Sequence, residues 1–253
     1  MHFTKFFSVV ERDLEILNPT SQEKLMLLAE YCSVREGDRV LDVGSGKGYM
    51  LRRWAERFGI EGTGVEINPS FVAQARSRAS EEGVGEALTF VEGDAKDFVA
   101  DPEGYDVVAC IGAPFAIGSF EEAVGWMLGV LKPSGVLAVG DVFLRAPLAE
   151  GAAGREGVDL EDFRTLEESG AVLEGRGLAI DGLIAASEDD WDRYASASWR
   201  AARSWAAANP DDPDRAEILS LTDGYRKRHL RFTRPHLGWA MFVARRAIEE
   251  GGG

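Results

Sequence analysis

An aspartate followed by glycines at alternating positions, Asp42-Val43-Gly44-Ser45-Gly46-Lys47-Gly48, is the stretch of this chain best suited to hold a ligand. Glycines permit positive φ and let a ligand approach main-chain N–H groups at the start of a helix. Val40, Leu41 and Val43 make the apolar run of a strand covered on both faces, and Met50, Leu51, Trp54 and Phe58 recur afterwards at helical spacing. The stretch therefore reads as strand, turn and helix, the place where open α/β sheets bind ligands. Two nucleotide patterns fail on spacing. A dinucleotide fingerprint needs glycine at position 49, which is Tyr49. A phosphate loop needs Gly-x4-Gly-Lys-Ser/Thr, but Gly46-Lys47 has Leu41 five positions before it and Gly48 after it. A tight turn that serves packing alone would use the same glycines.

Further strand ends carry acidic or glycine residues. Gly62-Thr63-Gly64-Val65-Glu66-Ile67 reads as a second strand, and residues 87–91 form a third that runs into Glu92-Gly93-Asp94-Ala95. A fourth, Tyr105-Asp106-Val107-Val108-Ala109-Cys110-Ile111, stops at Gly112-Ala113-Pro114; a helix over 119–131 and a fifth strand over 136–141 follow. Strands at intervals of roughly 20 to 25 residues, separated by helical patterns, predict a doubly wound α/β fold.

The acidic strand end followed by G-x-G-x-G resembles motif I of the class I S-adenosylmethionine-dependent methyltransferases, and the likeness runs from about Val40 to Asp141. It implies a seven-stranded Rossmann-like sheet with an antiparallel last strand, and S-adenosyl-L-methionine as methyl donor. Asp42, Gly44, Ser45, Gly46, Gly48, Ile67 and Ile111 would then surround the donor. Glu66 would accept hydrogen bonds from the ribose hydroxyls, Asp94 would accept from the adenine amine, and Ala95 would donate its backbone N–H. Gly112 would leave room beside the sulfonium. A carboxylate capping the helix that starts at Pro69 would also account for Glu66, though not for its distance from the turn. The departures are small: Lys132-Pro133-Ser134-Gly135 replaces Lys-Pro-Gly-Gly, and Ser45 stands where many members carry Cys or Thr.

The elements that must position these groups lie on either side. Phe3, Phe6, Phe7, Val9 and Val10 precede Leu14, Ile16 and Leu17. They predict either a helix docked on the sheet or a lid whose phenylalanines line a substrate cavity. A helix start at Thr20 or Ser21 follows, with Leu25, Leu28 and Tyr31 on its apolar face. Beyond Asp141, residues 159–170 read as helix and 171–180 as strand. The closing strand, 237–244, comes only after roughly fifty further residues, too many for the short connection expected there. Two cap helices fill that interval. One starts at Glu188-Asp189-Asp190 and carries Trp191, Tyr194, Trp199 and Trp205; the other spans 213–234, with Ile218, Leu221, Tyr225 and Leu230 as apolar positions. Asp190-Trp191-Asp192-Arg193-Tyr194 and Leu237-Gly238-Trp239-Ala240 resemble an uncharacterised bacterial branch of the family. The expected division is an N-terminal helical lid over 1–36, a core over 37–181 and 236–247, and a cap over 182–235.

Candidate substrate contacts are Phe6, Phe7, Phe115, Trp191 and Tyr194. A sulfonium methyl is already activated, so a base is needed only where the acceptor carries a proton. Asp141, Tyr225, His229 and, near the N-terminal lid, His2 are the candidates, and each also suits a structural role. Arg226, Lys227, Arg228, His229, Arg231 and Arg234 form either a solvated face or a recognition site for an anionic substrate.

Composition narrows the partners. The 253 residues carry a formal net charge of -15, which argues against broad nucleic-acid or anionic-membrane binding, and the aromatic cap favours a small-molecule acceptor. Cys32 and Cys110 stand far apart without metal-ligand spacing, so no metal is expected. No signal peptide or long apolar window is visible, and a cytoplasmic location is the expectation. Oligomeric state is not legible. An RNA or protein methyltransferase and a noncatalytic donor-binding protein are the alternative readings.

Overall fold

Val40, Leu41 and Val43 are fully buried in strand β1 (Arg39–Val43), as their apolar run requires. The computed structural model describes residues 1–101, 104–148 and 163–247. β1 pairs in parallel with β2 (Glu61–Glu66), and β2 pairs with β3 (Leu88–Glu92). On its other side β1 pairs with β4 (Tyr105–Ile111), which pairs with β5 (Leu131–Leu144). The two-residue β6 (Arg164–Thr165) touches the end of β5. β7 (Leu178–Ala185) and β8 (Leu237–Arg246) complete the order β3-β2-β1-β4-β5-β8-β7, in which β8 alone runs antiparallel to its neighbours. This is the Rossmann-like sheet expected from the sequence. Strand order reverses between β1 and β4, which opens a crevice at their carboxyl ends.

Side-chain parity divides the core. Val40, Val107, Ala109, Val136, Ala138 and Met241 face one layer, while Leu41, Val108, Cys110, Leu137, Val139 and Phe242 face the other. Helix α1 (Phe3–Val10) stands apart from both. Its Phe6, Val9 and Val10 pack on Ala202 and Ile218 of the cap, so it docks on the cap rather than on the sheet. The first layer holds α2 (Gln22–Cys32), α3 (Tyr49–Phe58) and α4 (Pro69–Glu81). Trp54 is fully buried there, and its indole N–H donates to the Leu25 carbonyl at 3.1 Å, joining α3 to α2. The second layer holds α5 (Phe120–Val130) and α6 (Leu166–Gly175).

Two local expectations are corrected here. Residues 171–175 are helical, not strand: a capping box between Thr165 and Glu168 starts α6, and Gly177 at φ +76° turns the chain into β7. Of the helix expected over 159–170, residues 159–162 lie outside the described residues. β7 then continues to Ala185, two residues before the first cap helix, α7 (Glu188–Ala208). The second, α8 (Arg215–Arg228), passes into a π-helical turn over His229–Thr233. Ile218, Thr222, His229 and Phe232 lie on its buried side, whereas Leu221, Tyr225 and Leu230 are exposed. No helix among the described residues is long and apolar enough to cross a membrane.

Candidate functional site

The glycine turn sits at the crevice. Gly44, Gly46 and Gly48 all adopt positive φ, at +74°, +54° and +67°. A side chain at Gly48 would also collide with Phe90, so the turn needs glycine for both conformation and space. Gly44 and Ser45 donate their N–H groups to the Val65 carbonyl, at 2.9 and 3.0 Å, which fastens the turn to β2.

Glu66 lies at the end of β2, half-buried. One carboxylate oxygen accepts from the Gly46 N–H at 2.9 Å and the other from the Asn68 N–H at 2.8 Å. The cap of α4 is Asn68, whose side chain accepts from the Ser70 N–H, so helix capping does not account for Glu66. Burial raises the Glu66 pKa against the pull of these N–H groups. Asp42 is buried, and its pKa is pushed up to about 8 by burial and by the neighbouring Glu66 charge. Asp94 caps the short turn after β3 by accepting from the Lys96 N–H at 2.9 Å, and Ala95 is buried beside it. Ile67 is exposed at the rim.

Residues 11–20 run across this edge as a strap. Leu17 faces Gly46, where an added Cβ would lie 2.8 Å from its side chain. Asn18 donates from Nδ2 to the Ile111 carbonyl at 2.7 Å and packs against Gly112, which adopts φ +82°. Between strap and turn lies a cavity of about 40 Å³, bounded by Asp42, Ser45, Ile111 and Asn18 and roomy enough for only a few waters.

The strap is held by groups that its sequence hardly advertises. Lys47 is 1% exposed and donates to the carbonyls of Glu11, Arg12 and Leu14 at 2.8, 3.0 and 2.7 Å. Burial lowers its pKa to about 8. Glu11 is buried too, and burial pushes its pKa up to about 7 against a hydrogen bond from the Tyr194 hydroxyl at 2.6 Å. Asn18 announced only a break before proline, and Lys47 only a phosphate loop with the wrong spacing.

The expected catalytic and substrate residues fall into separate groups: Phe6, Phe7 and Tyr225 meet, as do Trp191 and His229, while Asp141 and Phe115 are not in contact with them. Asp141 shares the strand parity of Leu137 and Val139, so it faces the α5 and α6 layer, opposite to Asp42. Burial pushes its pKa up to about 6. His229 lies inside the cap, 2.8 Å from the Asp192 carboxylate and edge-on to Trp199 at 5.6 Å, with Trp191 6.5 Å away. Tyr225 is half exposed beside Phe6, at 5.7 Å between ring centroids. Phe7 meets Phe6 edge-on, and Phe115 stands alone at 75% exposure. The basic run is largely neutralised in place: Arg226 and Lys227 pair with Asp223, and Arg234 pairs with Glu188 and Asp192.

The donor expected from the resemblance carries a purine, a ribose diol, and cationic sulfonium and ammonium groups. The residues present suit it. Two carboxylates crowded by burial, Asp42 and Glu66, favour a cationic ligand, and Glu66 stands at the rim with acceptor capacity for a diol. The Ser45 hydroxyl is buried with no hydrogen-bond partner among the described residues.

Comparison with known proteins points the same way. The family profile described as "Methyltransferase domain" matches residues 40–135. The Escherichia coli protein YjhP is 36% identical over 245 residues, 96% of this chain and 98% of that protein. The crystal structure of an S-adenosylmethionine-dependent methyltransferase from Geobacter sulfurreducens, in complex with S-adenosyl-L-homocysteine, is 36% identical. It superposes with a TM-score of 0.88 over 95% of this chain and 97% of that one. Erythromycin 3''-O-methyltransferase of Saccharopolyspora erythraea is 37% identical over 139 residues, 53% of this chain and 45% of that enzyme. The chain belongs to the class I S-adenosylmethionine-dependent methyltransferases, and S-adenosylmethionine is its methyl donor.

Proposed function

We propose that this enzyme methylates a small organic molecule by in-line displacement at the donor methyl. The reading is carried by the roof over the crevice: α1, α7 and α8 pack on one another through Phe6, Ala202 and Ile218, and Tyr194 ties α7 to the strap. Such a roof suits a compact acceptor better than a polymer. The net charge of -15, with the basic run of α8 mostly paired, works against a polyanionic substrate. The erythromycin methyltransferase, a relative named for a small-molecule substrate, supports the same class.

S-adenosylmethionine supplies an activated methyl when bound. The chain's own contribution is to orient the donor through the glycine turn, Glu66, Asp94 and Ala95, and to exclude water beneath the strap and cap. Asp42, Gly44, Ser45, Ile111 and Gly112 would surround the methionyl end of the donor.

Incubation with methyl-labelled donor and a fractionated metabolite extract tests the proposal. Label in a small product is the expected result. Label confined to RNA or protein fractions, or absent from every fraction, overturns it.

A further inference from the structure

The second x position of G-x-G-x-G places no demand on its side chain, yet here it holds a lysine whose ammonium lies wholly inside the protein. A buried ammonium is costly unless its donors are matched. Lys47 has three donors and three carbonyl acceptors, those of Glu11, Arg12 and Leu14, with the Phe71 ring 5.5 Å from the nitrogen. These carbonyls lie just beyond the C-terminus of α1, on the negative side of its dipole, and that of Glu11 also accepts from the Leu14 N–H at 3.0 Å. The glycine turn thus supplies the cation that gathers the chain as it leaves the N-terminal helix.

From that anchor the strap runs on under restraint. The Glu15 carboxylate pairs with Arg52 and Arg78, and Ile16 packs against the first core layer. Leu17 then presses on Gly46, and Asn18 closes on the Ile111 carbonyl and Gly112. Lys47 and Asn18 therefore pin the segment at two points, to the glycine turn after β1 and to the end of β4, over a cavity that Asp42, Gly44 and Ile111 also line.

We propose that Lys47 is a positioning residue for the methyl donor: by holding the strap across the carboxyl ends of β1 and β4, it sets how tightly and how long the donor stays bound. The proposal rests on donor binding at this rim and is independent of which acceptor is methylated.

The test uses S-adenosylhomocysteine as the probe, with its Kd from calorimetry, its dissociation rate from stopped-flow tryptophan fluorescence, and hydrogen exchange over residues 11–20. Lys47→Met keeps the length of the side chain and removes its donors. It is expected to raise Kd about tenfold to a hundredfold, chiefly through faster dissociation, and to abolish the exchange protection that the probe confers on the strap. Asn18→Ala releases the opposite side without touching the glycine turn and is expected to act in the same direction. Because both work through one segment, the double variant should lose less than the product of the two single effects. A folded Lys47→Met protein with wild-type Kd, dissociation rate and strap protection overturns the proposal. Should Lys47→Met fail to fold, Asn18→Ala decides, and an unchanged dissociation rate in that variant also overturns it. Glu66→Ala separates the premise from the proposal: if it leaves probe affinity unchanged, the rim is not the donor site. If it weakens binding while Lys47→Met does not, only the role of Lys47 falls.

Discussion

The Tyr194 hydroxyl donates a 2.6 Å hydrogen bond to the buried Glu11 carboxylate, joining the first cap helix to the strap across 183 positions of sequence. The carboxyl is held mainly by this bond and by the nearby Lys47 charge. Tyr194→Phe should cost about 1–3 kcal/mol of stability, since it leaves a buried acceptor without its donor. Urea denaturation checks this, and the double variant with Glu11→Leu should recover part of the loss.

Glu66 joins β2 to the glycine turn by accepting from the Gly46 N–H. Hydrogen bonds to charged groups contribute about 1.5–3 kcal/mol each. Glu66→Ala should therefore weaken S-adenosylhomocysteine binding roughly tenfold or more by calorimetry. Gly46→Val should weaken it further, because valine cannot adopt the positive φ there without strain and would meet Leu17.

Stability should respond to pH through buried carboxyls. Asp42, Glu11 and Asp141 are pushed up to about 8, 7 and 6. Each folded pKa exceeds its unfolded value, so the folded state holds more protons between about pH 4 and pH 8, and stability falls as pH rises through that window. Thermal melts of the donor-free protein should show a lower Tm at pH 8 than at pH 5.5. Asp42→Asn should flatten the slope and raise Tm at pH 8 while weakening donor binding. An unchanged slope in that variant would remove Asp42 as a source.

His229 is enclosed by Trp199, Trp191 and Asp192. His229→Ala should lower stability by about 2–3 kcal/mol through the cavity it leaves, since Asp192 keeps its Arg234 partner, and donor affinity should stay within about twofold. Lost turnover at wild-type stability would instead point to His229 as a proton acceptor.

The rim that gathers the strand-end residues was legible because its signals are local. Asp42 through Gly48, Glu66, Asp94 and Gly112 each follow a recognisable strand, and a parallel sheet gathers strand ends at one rim. The roof was legible only in outline. Lys47 bonds to backbone carbonyls, which have no side-chain signature, and Glu11 meets Tyr194 through tertiary packing alone. Leu221 and Tyr225 are exposed because Ile218 and Thr222 take the buried face of α8, and a threonine, buried here with its hydroxyl bonded to the Ile218 carbonyl, does not announce itself as a core position. Residues 171–175 misled for another reason: a short apolar run between glycines fits a strand as well as a helix, and the Thr165 cap decides the matter.

β8 is synthesised after every other strand but lies between β5 and β7. During translation the parallel strands can condense as soon as they emerge, whereas β7 has no neighbour until Leu237–Arg246 leaves the ribosome. The protein therefore matures from its amino end toward its tail, with one flank of β5 bare in the interval, and a chain cut short before this strand would carry an open sheet edge ready to pair with another molecule.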